Sequence, residues 1–150
     1  MELKSHIKLS KKHQKKLSIF PYFFIPALNE FYFLRDDFGF RKPELATWKN
    51  EANLIFMSKT LRVNIQYEYP NCIDVTFRKH DFRDYIYWRI LLEELNFPLN
   101  EGLLTIQEQN NLNIIQAQIE ARFKDIGTIL KDNWKQISEY IDDSPFLANI

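Results

Sequence analysis

The sequence is poor in the residues from which most small chemical sites are built. Its 150 residues include one cysteine, three histidines and three glycines. A lone Cys72 cannot close an internal disulfide, so packing alone must hold the fold, in keeping with a reducing, cytoplasmic location. His6 and His13 lie in a lysine-rich stretch and His80 stands apart, so the spacing of a structural zinc site is missing and no metal is expected. Three glycines are too few for a phosphate-cradling loop, and neither G-x-S-x-G, H-E-x-x-H nor a calcium-loop pattern occurs. No apolar run reaches the roughly 18 residues that a membrane span requires. Net charge is lacking too: 20 basic side chains balance 20 acidic ones, which argues against a dedicated nucleic-acid binder. No cofactor is expected, and no enzymatic activity.

Apolar and aromatic residues are what the chain has in quantity. Hydrophobic residues make up 45% and aromatics 15%, with 13 Phe and 7 Tyr, a globular composition with a dense core. A chain of this length forms one domain that buries about 70% of its unfolded surface. The balanced charge hides an asymmetry. Residues 1–16 carry six lysines against Glu2, whereas residues 93–150 carry ten acids against Arg122, Lys124, Lys131 and Lys135.

The expected organisation is a basic leader and aromatic segment over 1–25, followed by a single α+β domain over 26–150. The leader runs from lysines into Phe20, Pro21, Tyr22, Phe23 and Phe24. A signal peptide is disfavoured by Pro21 and Pro26 and by the lack of a small-residue cleavage site. A basic and aromatic arm for a nucleic acid or a membrane surface is the alternative function. The favoured reading is a frayed basic tail leading into core-filling aromatics.

A helix is expected from Pro26, whose missing N–H suits a first turn, with Leu28, Phe31, Leu34 and Phe38 at helical spacing and Gly39 as its left-handed stop. A three- or four-stranded antiparallel meander follows. Leu61, Val63, Ile65, Tyr67 and Tyr69 alternate with Arg62, Asn64, Gln66 and Glu68, and Ile73, Val75 and Phe77 repeat the pattern. That places the aromatics on the packed face and leaves the wet face without any, against a base-stacking surface. A helix over Arg83–Leu95, capped by Asp81 or Asp84, and a Thr105–Glu108 capping box come next. Leu112, Ile115, Ile119, Phe123, Ile126, Leu130, Trp134, Ile137 and Ile141 then mark a long amphipathic C-terminal helix packed on the sheet. As one straight rod it would measure roughly 45 Å, so a bend near Gly127-Thr128 or a dimerising overhang is expected.

Chemistry-bearing candidates are few. Cys72 reads as a small apolar strand residue rather than a nucleophile. His80, between Arg78-Lys79 and Asp81, reads as part of a strand–helix connection, with an enzyme centred on it as a lesser alternative. Asp74 and Lys79 lack the second carboxylate of a metal nuclease. Asp36 and Asp37 end the first helix and Glu139, Asp142 and Asp143 end the last, where negative charge opposes the helix dipole. These five are the candidate partner-binding residues for a basic protein, unless Arg35, Arg41 or Lys42 neutralises the first pair.

The stretches Phe31–Phe40, ending Phe38-Gly39-Phe40, then Ile55–Val63 and Ile73–Phe77, resemble a group of small bacterial α+β proteins, some similar to immunity proteins of polymorphic toxin systems. The resemblance covers residues 27–78 and carries no catalytic residue. It implies a non-enzymatic protein that covers the surface of a cognate toxin or another protein of the same cell.

Overall fold

Burial of aromatic side chains organises the chain from its first helix onward. The computed structural model describes residues 2–69, 72–80, 84–98 and 112–143. Three helices, α1 (Lys11–Ile19), α2 (Pro21–Phe31) and α3 (Phe33–Asp36), precede five strands, β1 (Glu44–Trp48), β2 (Glu51–Met57), β3 (Leu61–Glu68), β4 (Cys72–Lys79) and β5 (Ile86–Tyr87). Three more follow, α4 (Trp88–Glu94), α5 (Leu112–Asp132) and α6 (Trp134–Asp143). The α+β class and the antiparallel meander are as expected, and the sheet has five strands in sequential order instead of three or four. No single helix among the described residues is long and apolar enough to cross a membrane.

Residues 2–25 are not a frayed leader. Ser10 caps α1 by accepting the His13 N–H at 3.2 Å, and α1 rests against β1, where His13 Nε2 lies 3.1 Å from Glu44 Oε2. After a 119° bend the chain enters α2 at Pro21, five residues earlier than Pro26 suggested. Pro21 meets the same first-turn requirement, and Pro26 is tolerated inside the helix with its ring buried. Ile7, Phe20, Phe23 and Phe24 belong to the same core as the sheet. Gly39 has φ +75° as expected, Phe40 N–H bonds back to the Leu34 carbonyl at 3.0 Å, and Phe40 is buried.

The inner sheet face carries Leu45, Ala52, Leu54, Phe56, Val63, Ile65, Tyr67, Ile73, Val75 and Phe77, all buried. Tyr69 falls beyond the end of β3 and is exposed, a correction to its expected place in that row. Phe23 of α2 stacks on Tyr67 at 5.8 Å and meets Phe123 of α5 at 5.7 Å, so one aromatic links the sheet to the C-terminal helix. The helices against the sheet are α1 on β1, α2 on β2, and α4 and α6 on β4, with α5 packed on α2. That corrects the expectation of one long helix lying on the sheet.

The expected stripe is buried within the chain at Ile115, Ile119, Phe123, Ile126, Leu130, Ile137 and Ile141. The helix breaks at Asn133, not at Gly127-Thr128. Asn133 directs both its backbone N–H and its side-chain amide to the Ile129 carbonyl, at 3.1 and 2.9 Å. Gly127 serves close packing instead: a Cβ there would lie 3.3 Å from the Glu30 carbonyl oxygen.

The expected helix over Arg83–Leu95 is shorter and is preceded by β5. Its N-cap, Tyr87, makes no side-chain cap, so Asp84 does not cap it. Asp81 and the Thr105–Glu108 box lie outside the described residues.

Candidate functional site

Asp36 and Asp37 are already engaged within the chain. His6 Nε2 lies 2.9 Å from Asp36 Oδ2, and Lys131 Nζ lies 3.7 Å from Asp37 Oδ2. The side chains that meet the pair are thus His6 and Lys131, not Arg35, Arg41 or Lys42; Arg35 Nη1 donates to the Phe40 carbonyl at 3.2 Å. Only folding brings residue 6 and residue 131 to the end of α3. These side chains and Lys4, Asn29 and Glu30 line a cleft of about 250 Å³.

Glu139 and Asp143 are exposed on α6, and the Asp142 carbonyl accepts a hydrogen bond from Lys79 Nζ. None of the three carboxylates enters an ion pair among the described residues.

His80 acts as a brace. Its Nε2 lies 2.7 Å from the Ser58 carbonyl and its N–H bonds the Thr60 carbonyl at 3.0 Å, tying the end of β4 to the β2–β3 turn. Facing a carbonyl, Nε2 must carry the proton, which occupies that nitrogen structurally. Cys72 is exposed at the start of β4, not packed as an apolar strand residue. Partial burial pushes its thiol up, and Asp74 and Glu68 add to the shift, leaving a poor nucleophile. Among the described residues no three His, Cys, Asp or Glu side chains gather as metal ligands. In the N-terminal arm Lys11, Lys12 and Lys15 are exposed on α1, whereas Phe20, Phe23 and Phe24 are buried and out of reach of bases or lipid.

The outer sheet face is where the structure departs most from the sequence reading. Trp48, Tyr85 and Tyr87 are exposed, at 67%, 44% and 50%. Trp48 follows Ala46 on the outer side of β1, and Tyr87 pairs with Thr76 of β4. Between these edges the rows run Met57–Arg62–Arg78 and Ile55–Asn64–Thr76 across the central strands. Lys49 Nζ sits 5.6 Å above the Trp48 ring, and Arg78 lies 5.1 Å from the Tyr85 ring with Nη1 3.4 Å from its hydroxyl. The face expected to be free of aromatics has Trp48 at one edge and Tyr85 and Tyr87 at the other, because β1 and β5 lie outside the expected strands. Both left a signal: the alternation of Leu45 with Ala46, and of Tyr85 and Tyr87 around Ile86.

Further along the same face, Asp74 pairs with Gln66 and accepts its neighbour's backbone N–H, from Val75, at 2.8 Å. Burial nevertheless pushes its carboxyl above the usual range, outweighing that hydrogen bond. The outer face therefore carries Arg62, Arg78 and Tyr85 at one end and Glu51, Glu68 and Trp48 at the other. Comparison of the chain with family models, with curated proteins and with solved structures finds no match.

Proposed function

We propose that this chain is a non-enzymatic binding protein that covers part of a protein partner with the outer face of its sheet. The observation that carries this reading is the set of exposed aromatics at the sheet edges, Tyr85 and Tyr87 beside Arg78 on the β5 side and Trp48 on the β1 side. Tyr, Trp and Arg are the residues that anchor protein interfaces, since each buries a large area at modest entropic cost. The exposed carboxylates of α6 supply a second contact, steering a basic region of the partner by complementary charge. Of the five expected partner-binding acids, Glu139, Asp142 and Asp143 keep that role, while Asp36 and Asp37 hold the N-terminal segment and α5 to the end of α3. The resemblance to immunity-type proteins favours a cognate toxin, or another protein of the same cytoplasm, as what is covered.

The test begins with affinity capture from the native host's lysate and continues with the purified partner. Tyr87→Ala and Trp48→Ala should each weaken the complex by about tenfold or more, the size of a hot-spot loss. Affinity unchanged in both variants overturns the sheet-face reading. Asp142→Lys with Asp143→Lys should weaken binding and flatten its salt dependence, and an unchanged salt profile removes α6 from the interface.

A further inference from the structure

β3 and β4 set Arg62 and Arg78 directly opposite one another on the outer face. Like charges facing each other across two strands repel. Both Nε atoms are shut away from solvent with no hydrogen-bond partner. An N–H donor removed from water and left unpaired is costly, and the fold needs neither side chain there for its core. No ion pair among the described residues includes either arginine. The neighbour of Arg62 on the β2 side is Met57, which offers no full acceptor, and among the described residues Arg78 meets the Tyr85 hydroxyl and ring.

We propose that Arg62 and Arg78 form an oxyanion site, filled by a carboxylate of the protein partner. A carboxylate between the ends of two guanidinium forks turns the repulsion into two attractions. The identity of the anion's source rests on the sheet-face reading; the site itself does not. A compact carboxylate fits better than a nucleic-acid backbone, because that backbone needs a continuous positive track. Here Asp74 stands four residues along β4 from Arg78, roughly 13 Å away, and Glu68 lies beyond it on β3. Within the strands of this face the positive charge is confined to one row, and complementarity with the partner is of both signs.

The test uses the whole isolated chain, with no partner. Sodium glutarate is titrated in against sodium chloride at matched ionic strength, and the Nε–Hε signals of the arginines are followed by NMR. Both the Arg62 and Arg78 signals should move saturably with glutarate and not with chloride, and glutarate should raise the thermal midpoint. Arg62→Met should abolish both responses and melt above the native chain in chloride, since it removes the repulsion. Arg62→Lys keeps the charge without the fork and should weaken glutarate binding by about tenfold. Absence of a saturable shift at these two residues overturns the site. An oligothymidylate that moves them at lower concentration than glutarate overturns the carboxylate in favour of nucleic acid. Because no partner is present, failure here leaves the Trp48 and Tyr87 test untouched, and failure of that test leaves the anion titration standing.

Discussion

At the scale of single residues, conformation and charge act at separable positions. Gly39 adopts φ +75° with open space around its missing side chain, so only the backbone resists substitution. Gly39→Ala should cost about 1 kcal/mol, the price of a left-handed L-residue, read as a lower urea midpoint at an unchanged slope. Asp74 offers a test of linkage. Its folded carboxyl titrates above its ordinary 3.8, so the stability it contributes is full below that value and is lost as pH rises through the higher folded one. Asp74→Asn keeps an acceptor for Val75 N–H without the buried charge. It should melt higher than the native chain at neutral pH, with the gain shrinking to nothing in acid; a gain independent of pH would assign the effect to something other than ionisation. His6, Lys131 and the Arg62–Arg78 pairing were illegible at this scale, because sequence spacing shows which charges exist but not which distant ones meet.

At the scale of elements, periodicity was read well wherever an element has one buried face, and poorly where the chain changes direction. The alternation of β3 and the 3.6-residue stripe from Ile115 to Ile141 both match the observed burial. Strand β1 escaped because it is a short edge strand whose one fully buried residue is Leu45, and β5 because its two residues run straight into α4. The break at Asn133 was missed since a side-chain amide competing for a carbonyl leaves no mark on the apolar pattern. Phe123 joins these elements, with Phe23 at 5.7 Å and Phe31 at 5.3 Å. Phe123→Ala should cost about 3–5 kcal/mol in urea unfolding, as expected for emptying such a site. Ile114→Ala on the same helix, 44% exposed, should change stability by less than about 0.5 kcal/mol. Similar losses at the two positions would mean that α5 is not docked through this face.

At the scale of the whole molecule, the α+β class and the antiparallel sheet were legible from alternation alone, but the order of layers was not. Which helix meets the sheet depends on Phe23 reaching both Tyr67 and Phe123, a three-body contact that no single periodic pattern contains. The candidate surface was hidden for a related reason: its aromatics stand at the two edges of the sheet, on strands too short to be read as strands. Those edges carry a further consequence. An edge strand offers unpaired backbone groups to any other strand, its own copy in another molecule included. β1 is such an edge, and the helix resting against it is the one that carries Lys11, Lys12, Lys15 and Lys16. Deleting residues 2–19 should produce concentration-dependent association in sedimentation velocity, beyond that of the intact chain, whereas identical profiles would leave α1 without this part. The lysines that look in the sequence like a reach outward toward a ligand would then be a fence, keeping one molecule's sheet from growing onto the next.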